Sequence, residues 1–395
     1  MTNHDKPDTV LSRAGRDPAR HQGAVNPPVY HMSTVLFPSV AAREEAEGRP
    51  FDIYNYGRIG NPTADALERA MVELEGGHRA VSVSSGLAAI TVSLLALLKA
   101  GDHLLMVDTV YGPTRRFCDT VLARFGVETT YYDPLVGAGI ADLMRDDTRA
   151  VFLESPGSLT FEVQDVPAIA AVARGRGIAT LIDNTWATPL FFQPIAHGVD
   201  VSIQAATKYV VGHADAMLGV MTCRDASTYR TVKRCAVQLG QCAGPDDVYL
   251  GLRGLRTLAP RLRTHQENGL TVARWLQGRV EVARILHPAL PDDPGHALWQ
   301  RDFTGACGLF GIILAQPYPE AAVAAMVDGL RLFGIGASWG GFESLILPAH
   351  PERVRTATAW APSGPCLRLH VGLEDPDDLI ADLAAGFDRL NAAAR

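Results

Sequence analysis

Lys208 lies in the run Ser202-Ile203-Gln204-Ala205-Ala206-Thr207-Lys208-Tyr209-Val210-Val211-Gly212-His213 and is its only Lys or Arg. A β-like stretch, residues 198–203, precedes it. A lysine set just beyond a buried strand is poised to lose its charge, because desolvation lowers an amine's pKa, and the free amine can then attack a carbonyl. Twenty-five positions upstream, a second β-like stretch, 179–182, ends in Asp183-Asn184-Thr185-Trp186. A carbonyl-bearing lysine and an aspartate partner for a pyridinium nitrogen are two features of a pyridoxal-phosphate (PLP) site.

Other residues take meaning beside this pair. Ser84-Ser85-Gly86-Leu87 joins a strand-like segment to a helix-like one. A small-residue turn there aims free backbone N–H groups and the positive end of the helix dipole at one point, which suits a phosphate. Alone it reads as an ordinary capped helix; with Lys208 and Asp183 the phosphate reading prevails. The Thr207 hydroxyl, next to Lys208, could reach the same phosphate. Tyr111 begins the loop after the strand-like segment 103–107, where an aromatic ring could stack on a pyridine; the plain alternative is a half-buried loop tyrosine. Tyr56 and Arg58, in Tyr56-Gly57-Arg58, could clamp a phosphate across a subunit interface, or simply form a solvated turn. Arg368 sits mid-strand in Cys366-Leu367-Arg368-Leu369-His370-Val371, where its planar fork suits a substrate carboxylate and a structural salt bridge equally well. His213 and His370 lack a second metal ligand at suitable spacing and read as hydrogen-bonded core residues.

The surrounding pattern can position these groups. Residues 1–58 are rich in Pro, Gly, Arg and Asn, and read as an extended arm with a short helix near 40–47, packed on a neighbouring subunit. Helices are expected over 62–75, from Gly86 through Leu98, over 113–124 and over 166–176. Strands are expected over 80–83, 103–107, 128–131, 150–153, 179–182 and 199–203. Strands alternating with helices argue an α/β fold with a large, mostly parallel sheet covered on both faces. After about residue 251 the character changes. A long helix over 252–277, strands over 308–315 and 366–371, and helices over 320–332 and 377–393 predict a smaller C-terminal α/β domain. The expected division is 1–58 as the arm, 59–254 as the PLP-binding domain and 255–395 as the C-terminal domain.

The bulk properties exclude several classes. The 395 residues are 47% hydrophobic and 20% charged, with a net charge of −7, which argues a globular chain without a basic nucleic-acid surface. No nucleic-acid partner is expected. The apolar stretches, such as 88–98, are too short to span a bilayer, and the polar Met1–Lys6 start has no apolar signal core. No membrane partner and a cytoplasmic location are therefore expected. Six cysteines without a Cys-x-x-Cys pair read as free thiols in a reducing compartment, and no metal is expected.

Taken together, these segments resemble the PLP-dependent trans-sulfuration (Cys/Met-metabolism) family, and within it the bacterial cystathionine β-lyase branch. The likeness runs from Leu11 to Phe387. Its strongest blocks are Phe152-Leu153-Glu154-Ser155-Pro156-Gly157-Ser158, Ile182-Asp183-Asn184-Thr185-Trp186, the Lys208 segment, Gly254-Leu255-Arg256-Thr257-Leu258, Ser338-Trp339-Gly340-Gly341-Phe342-Glu343-Ser344-Leu345 and Leu367-Arg368-Leu369-His370-Val371-Gly372. The family implies fold type I, like that of aspartate aminotransferases, and a homotetramer built as a dimer of active dimers. It implies pyridoxal 5'-phosphate bound covalently to Lys208, Asp183 against its pyridine nitrogen, and Tyr111 stacked on the ring. It implies Ser85, Gly86, Leu87 and Thr207 at the phosphate, joined by Tyr56 and Arg58 of the other subunit. Arg368, Ser338 and Trp339 then meet a small amino-acid substrate, and Lys208, Tyr111 and Tyr56 form the catalytic set.

The implied activity is β-elimination of L-cystathionine to homocysteine, pyruvate and ammonia. Three alternatives remain: a γ-acting sibling (a methionine γ-lyase or cystathionine γ-lyase), a cysteine or cystine desulfhydrase, and, ranked last, a non-catalytic PLP-binding regulatory protein. The sequence departs from the pattern at Ala205, where many relatives carry Ser, and at Val237, where β-lyases tend to carry Tyr. The Tyr56-x-Arg58-x-x-Asn61-Pro62-Thr63 wording is closer to the γ-acting enzymes. These departures bear on the distal part of the substrate pocket.

Overall fold

The computed structural model describes residues 5–395; residues 1–4 of the expected arm lie outside the described residues. Seven strands make the large sheet: β1 (Arg79–Val83), β2 (His103–Val107), β3 (Glu128–Tyr132), β4 (Thr148–Glu154), β5 (Ala179–Asp183), β6 (Val201–Gln204) and β7 (Gly219–Cys223), in the order β1-β7-β6-β5-β4-β2-β3. From β3 to β6 the pairs are parallel. All five residues of β2 are buried, as expected of a strand covered by helices on both faces. Because these strands are parallel, β2, β4, β5 and β6 all end on one edge, and Asp108, Glu154, Asp183 and the Lys208 loop gather there.

The sequence reading passed over β7, which pairs antiparallel with both β6 and β1. Its place makes residues 205–218 a loop that leaves the sheet edge after β6 and returns through it. Lys208 is thus held at both ends rather than lying at the start of an open connection.

The helix Pro62–Glu75 forms where expected, because Asn61 Oδ1 accepts the N–H groups of Thr63 (3.0 Å) and Ala64 (2.9 Å) and Gly76 ends it in the left-handed region. The helix expected over 113–124 is instead Gly112–Phe117 followed by a π-helical turn, Cys118–Leu122. The single helix expected over 252–277 is two, Pro245–Leu255 and Leu258–Gln277. Pro260 explains the break. Inside one continuous helix it would remove an N–H and clash with the preceding turn, whereas in the first turn of a new helix it is tolerated.

Four antiparallel strands build the small sheet: β8 (Val282–Leu286), β9 (Leu309–Leu314), β10 (Leu345–Ala349) and β11 (Cys366–His370), in the order β10-β11-β9-β8. The edge strands β8 and β10 escaped the sequence reading, since part of each is solvent-facing and its apolar alternation is weak. A second apolar core lies between this sheet and the helices Glu320–Asp328 and Pro376–Ala393. Within the arm, the helix Pro7–Arg13 packs on its own subunit. It buries Val10 and Leu11 and binds Arg256, whose guanidinium donates to the carbonyls of Leu11 (2.8 Å) and Ala14 (2.9 Å). The Asp8 carboxylate pairs with Arg263. Farther along, Leu36 and Val40 are exposed.

Candidate active site

A cavity of about 490 Å³ opens at the carboxyl edge of the large sheet, lined by Lys208, Asp183, Tyr111, Ser338, Trp339 and Arg368. Residues from both sheets meet there. The Lys208 ammonium donates to Ser338 Oγ and lies 5.4 Å from the centroid of the Trp339 ring. Burial, reinforced by the Arg368 charge and opposed by Asp183, pushes the Lys208 amine down to about 8. About a tenth of this lysine is therefore the free base at pH 7, far more than for an ordinary lysine, as a nucleophilic amine requires.

Asp183 ends β5. Its Oδ1 accepts the Thr185 N–H (3.0 Å) and hydroxyl (2.5 Å). Burial raises its carboxyl above the usual range, against the pull of those bonds and of Lys208. Its register neighbour on β4 is Glu154, which takes the Tyr111 N–H at 2.8 Å. Burial first, and the adjacent Asp183 second, hold the Glu154 carboxyl well above its ordinary value. Two carboxyls on neighbouring strand ends thus share one desolvated edge, which raises both.

Arg368 projects from β11, and burial lowers its guanidinium from the ordinary value. Among the described residues it has no carboxylate partner within ion-pair distance; its Nη2 donates to the Ser338 carbonyl at 3.0 Å. The salt-bridge reading of this residue therefore fails, and its charge is available to an anion in the cavity. Ser338 itself has φ 83°, a backbone strain of the kind found at functional sites. His370, two residues along the same strand, receives the N–H of Gly340 at 3.1 Å and anchors that turn.

Ser85, Gly86, Leu87 and Thr207 also line the cavity. Ser85 caps the helix Gly86–Leu97, its Oγ accepting the Ala88 N–H at 3.1 Å. The N–H groups of Gly86 and Leu87 have no partner among the described residues, which is the geometry of an anion cradle. A Cβ on Gly86 would lie 2.4 Å from that of Ala205, so the helix start presses directly on the Lys208 loop. The Thr207 hydroxyl already holds the loop's return, accepting the Leu218 N–H (2.8 Å) and donating to its carbonyl (3.2 Å). Tyr56 and Arg58 do not line this cavity. Tyr56 is exposed, and Arg58 Nη1 donates to the Val237 carbonyl at 2.5 Å.

Sequence reasoning did not single out Glu154, Trp186 or Met217, which line the cavity too. The signal for Glu154 was present, since it ends a strand on the same edge as Asp183. Trp186 donates its indole N–H to the Leu309 carbonyl at the foot of β9, a contact between distant segments that spacing does not encode. Met217 depends on the unseen return into β7. The residues present fit PLP: unpaired N–H groups for a phosphate, a buried carboxyl for a ring nitrogen, and a desolvated amine for a carbonyl.

A family model described as Cys/Met metabolism PLP-dependent enzyme matches residues 8–388. The cystathionine beta-lyase of Escherichia coli (strain K12) is 46% identical over 395 residues, covering 98% of this chain and 99% of that protein. A protein of Wolbachia pipientis wMel named L-alanine/L-glutamate racemase is 40% identical over 397 residues, 98% of each chain. The crystal structure of cystathionine gamma synthase from Xanthomonas oryzae pv. oryzae, in complex with aminoacrylate and cysteine, is similar at a TM-score of 0.89 and 35% identity, covering 98% of this chain and 99% of that one.

Proposed function

The chain belongs to the Cys/Met-metabolism PLP-dependent enzymes, and on that footing we propose that it is a carbon–sulfur β-lyase cleaving L-cystathionine to homocysteine, pyruvate and ammonia. The observation that carries this reading is the convergence of Lys208, Asp183 and the ion-pair-free Arg368 on one cavity at a helix N-terminus. Fold type I, with its large mostly parallel sheet and smaller second sheet, is common to this chain and its structural relatives.

Bound in this cavity, PLP supplies an aldehyde that links covalently to an amine and a pyridine ring that accepts the electron pair left at Cα. Gly86 and Leu87 hold its phosphate through their free N–H groups, beside Ser85 and Thr207. The Asp183 carboxylate would hold the ring nitrogen and keep it protonated. Tyr111 would supply an aromatic face to the ring. The Lys208 amine would hold the cofactor's aldehyde and, once free, would take the Cα proton. The Arg368 fork, with Ser338 and Trp339 beside it, holds the α-carboxylate and so aims the Cα–H bond at Lys208. Lys208 or Tyr111 returns a proton to the departing thiolate, with Tyr56 of the partner subunit completing the catalytic set. One water then converts the remaining three-carbon enamine to pyruvate and ammonia.

The active form is a homotetramer built from dimers in which the partner subunit's Tyr56 and Arg58 reach the phosphate; their position outside their own subunit's cavity supports this. The chain divides into an arm (1–58), a PLP-binding domain (59–254) and a C-terminal domain (255–395). No described helix is long and apolar enough to cross a membrane, and the six cysteines are free thiols, which supports a cytoplasmic location.

A second reading has a specific observation behind it. The 40% identity to a named racemase fits the same amine removing the Cα proton, with a proton delivered to the opposite face of Cα in place of thiol loss. Incubation of purified holoenzyme with L-cystathionine separates the readings. Pyruvate and homocysteine are expected. 2-Oxobutyrate with cysteine would overturn the proposal in favour of γ-cleavage, and a racemised amino acid without any oxo acid would replace it with racemisation.

A further inference from the structure

Asp108, just past the end of β2, has a fully buried side chain and gathers donors from a segment nearly 250 residues away. Its Oδ1 accepts the Thr356 N–H at 2.9 Å and the Arg115 guanidinium at 2.6 Å. Its Oδ2 accepts the N–H groups of Ala357 (3.0 Å) and Thr358 (3.1 Å). The hydroxyls of Thr356 (3.3 Å) and Thr358 (3.4 Å) point at the same carboxylate. Three successive backbone N–H groups closing on one carboxylate form an anion nest inside the protein. Burial works against the charge of Asp108, yet these donors outweigh it and hold the carboxyl below its ordinary value.

A second grip lies beside the first. Arg355, only 4% exposed at its side chain, binds both oxygens of Glu162, at 2.7 and 3.4 Å, and its Nε lies 3.5 Å from Asp108 Oδ2. Both acidic residues belong to loops that shape the cavity. Asp108 leads directly into Thr109 and Tyr111. Glu162 closes the stretch 157–161, in which Gly157, Ser158, Leu159 and Phe161 line the cavity. Leu159 (φ 64°) and Phe161 (φ 55°) are in the left-handed region, a conformation that persists only where the surroundings over-determine it. The two loops also bond to each other, Ser158 donating to the Thr109 carbonyl at 2.8 Å.

We propose that segment 355–358 is a brace whose grip on Asp108 and Glu162 fixes the two loops, 109–111 and 157–161, forming the substrate side of the cavity. Asp108 is thereby a positioning residue for substrate binding, acting through loops rather than by contact. The brace comes from the irregular connection between β10 and β11, so the C-terminal part of the chain helps shape a mouth built from the large sheet. This rests on the cavity being the substrate site.

The test uses the holoenzyme and two variants. Asp108→Asn replaces a pure acceptor with an amide whose NH₂ meets only donors. Thr356→Val/Thr358→Val removes the hydroxyl bonds and leaves the Asp108–Arg115 pair intact, so it stays informative should the first variant fold poorly. Hydrogen exchange at the amides of 356–358 should accelerate by about tenfold or more in Asp108→Asn, and to a lesser degree in the double variant. KM for L-cystathionine should rise by about tenfold, with a smaller fall in kcat because the 109–111 loop also carries Tyr111. Faster exchange with an unaltered KM would overturn the proposal, as would equal loss in kcat with KM constant, or exchange that does not change in either variant. The wild-type control keeps the two readings apart. A wild type that binds cystathionine by spectral titration without cleaving it counts against the lyase, and the variants' titration constants then stand in for KM.

Discussion

Arg368 shows what burial without an acidic partner implies for a charged side chain. Its guanidinium is held in a largely desolvated cavity, spends one arm on the Ser338 carbonyl, and has no carboxylate within ion-pair distance among the described residues. A buried cation without a counter-ion is costly, and that cost is recovered only when an anion enters. Arg368→Ala is therefore expected to raise KM strongly, by about a hundredfold for a lost charge-assisted pair of about 3 kcal/mol, with the cofactor spectrum unchanged. Arg368→Lys should rescue little, since a point charge cannot reproduce the fork. Steady-state kinetics beside an absorbance spectrum decide it, and a bleached spectrum in Arg368→Ala would place the residue at the cofactor instead.

Glu75 gives the residue scale a pH signature outside the site. It is 1% exposed, and its Oε2 finds no hydrogen-bond donor among the described residues. Burial pushes its carboxyl from 4.5 up to about 7, against the Gln204 side-chain bond at 3.4 Å. Between these values the folded chain binds more protons than the unfolded chain, so stability falls as pH rises through that window. Glu75→Gln removes the titration. It should gain up to about 3 kcal/mol over wild type at pH 8 and less than about 1 kcal/mol at pH 5. Urea unfolding at both pH values checks this; an equal offset at the two would mean that the carboxyl does not titrate on unfolding.

At the scale of elements, the helix Gly86–Leu97 was legible because Ser85-Gly86 followed a strand, but the reason for the glycine was not. Only the packed structure shows Gly86 against Ala205, with an added Cβ 2.4 Å from that residue's Cβ and 2.8 Å from its Cα. Propensity alone would make Gly86→Ala stabilising by up to about 1 kcal/mol. The collision with backbone reverses that sign and forces the helix start away from the Lys208 loop. Cofactor affinity should fall by about tenfold to a hundredfold, the worth of a charge-assisted phosphate contact of about 1.5–3 kcal/mol. Titration of apoenzyme with PLP reads it, and undiminished affinity would mean that the phosphate is held elsewhere.

The same scale shows why parts of the fold were hidden. Buried strands such as β2 announce themselves as apolar runs, and their ends gave Asp183 directly. β7 carries the same signal, the buried run Gly219–Cys223, which the sequence reading passed over; what no local pattern encodes is its antiparallel place between β1 and β6. Met217, which lines the cavity just before β7, was lost with it. Pro260 was visible in the sequence and should have split the helix expected over 252–277. The donors around Asp108 come from 356–358, a stretch without periodicity, so their meeting is a product of tertiary packing alone.

At the scale of the whole molecule, a single subunit assembles the amine, the acid, the ring face and the carboxylate fork around one cavity, yet leaves Tyr56 and Arg58 outside it. The surface near them stays apolar, with Leu36, Val40, Tyr54 and Tyr56 all exposed. A second copy of the chain would cover such a surface and could bring the pair to a neighbouring phosphate. The consequence is complementation. Arg58→Ala subunits keep Lys208 but offer a defective arm; Lys208→Ala subunits keep the arm but lack the amine. In a hybrid dimer one site receives both defects and the other neither. Random mixing makes half of the dimers hybrid, each with one intact site of two, so about a quarter of wild-type activity is expected. Each variant alone should fall well below that level. Subunits are mixed under mild denaturant, exchange is verified by mass tags, and pyruvate release is measured. Verified exchange without recovered activity would mean that each site is completed by its own chain.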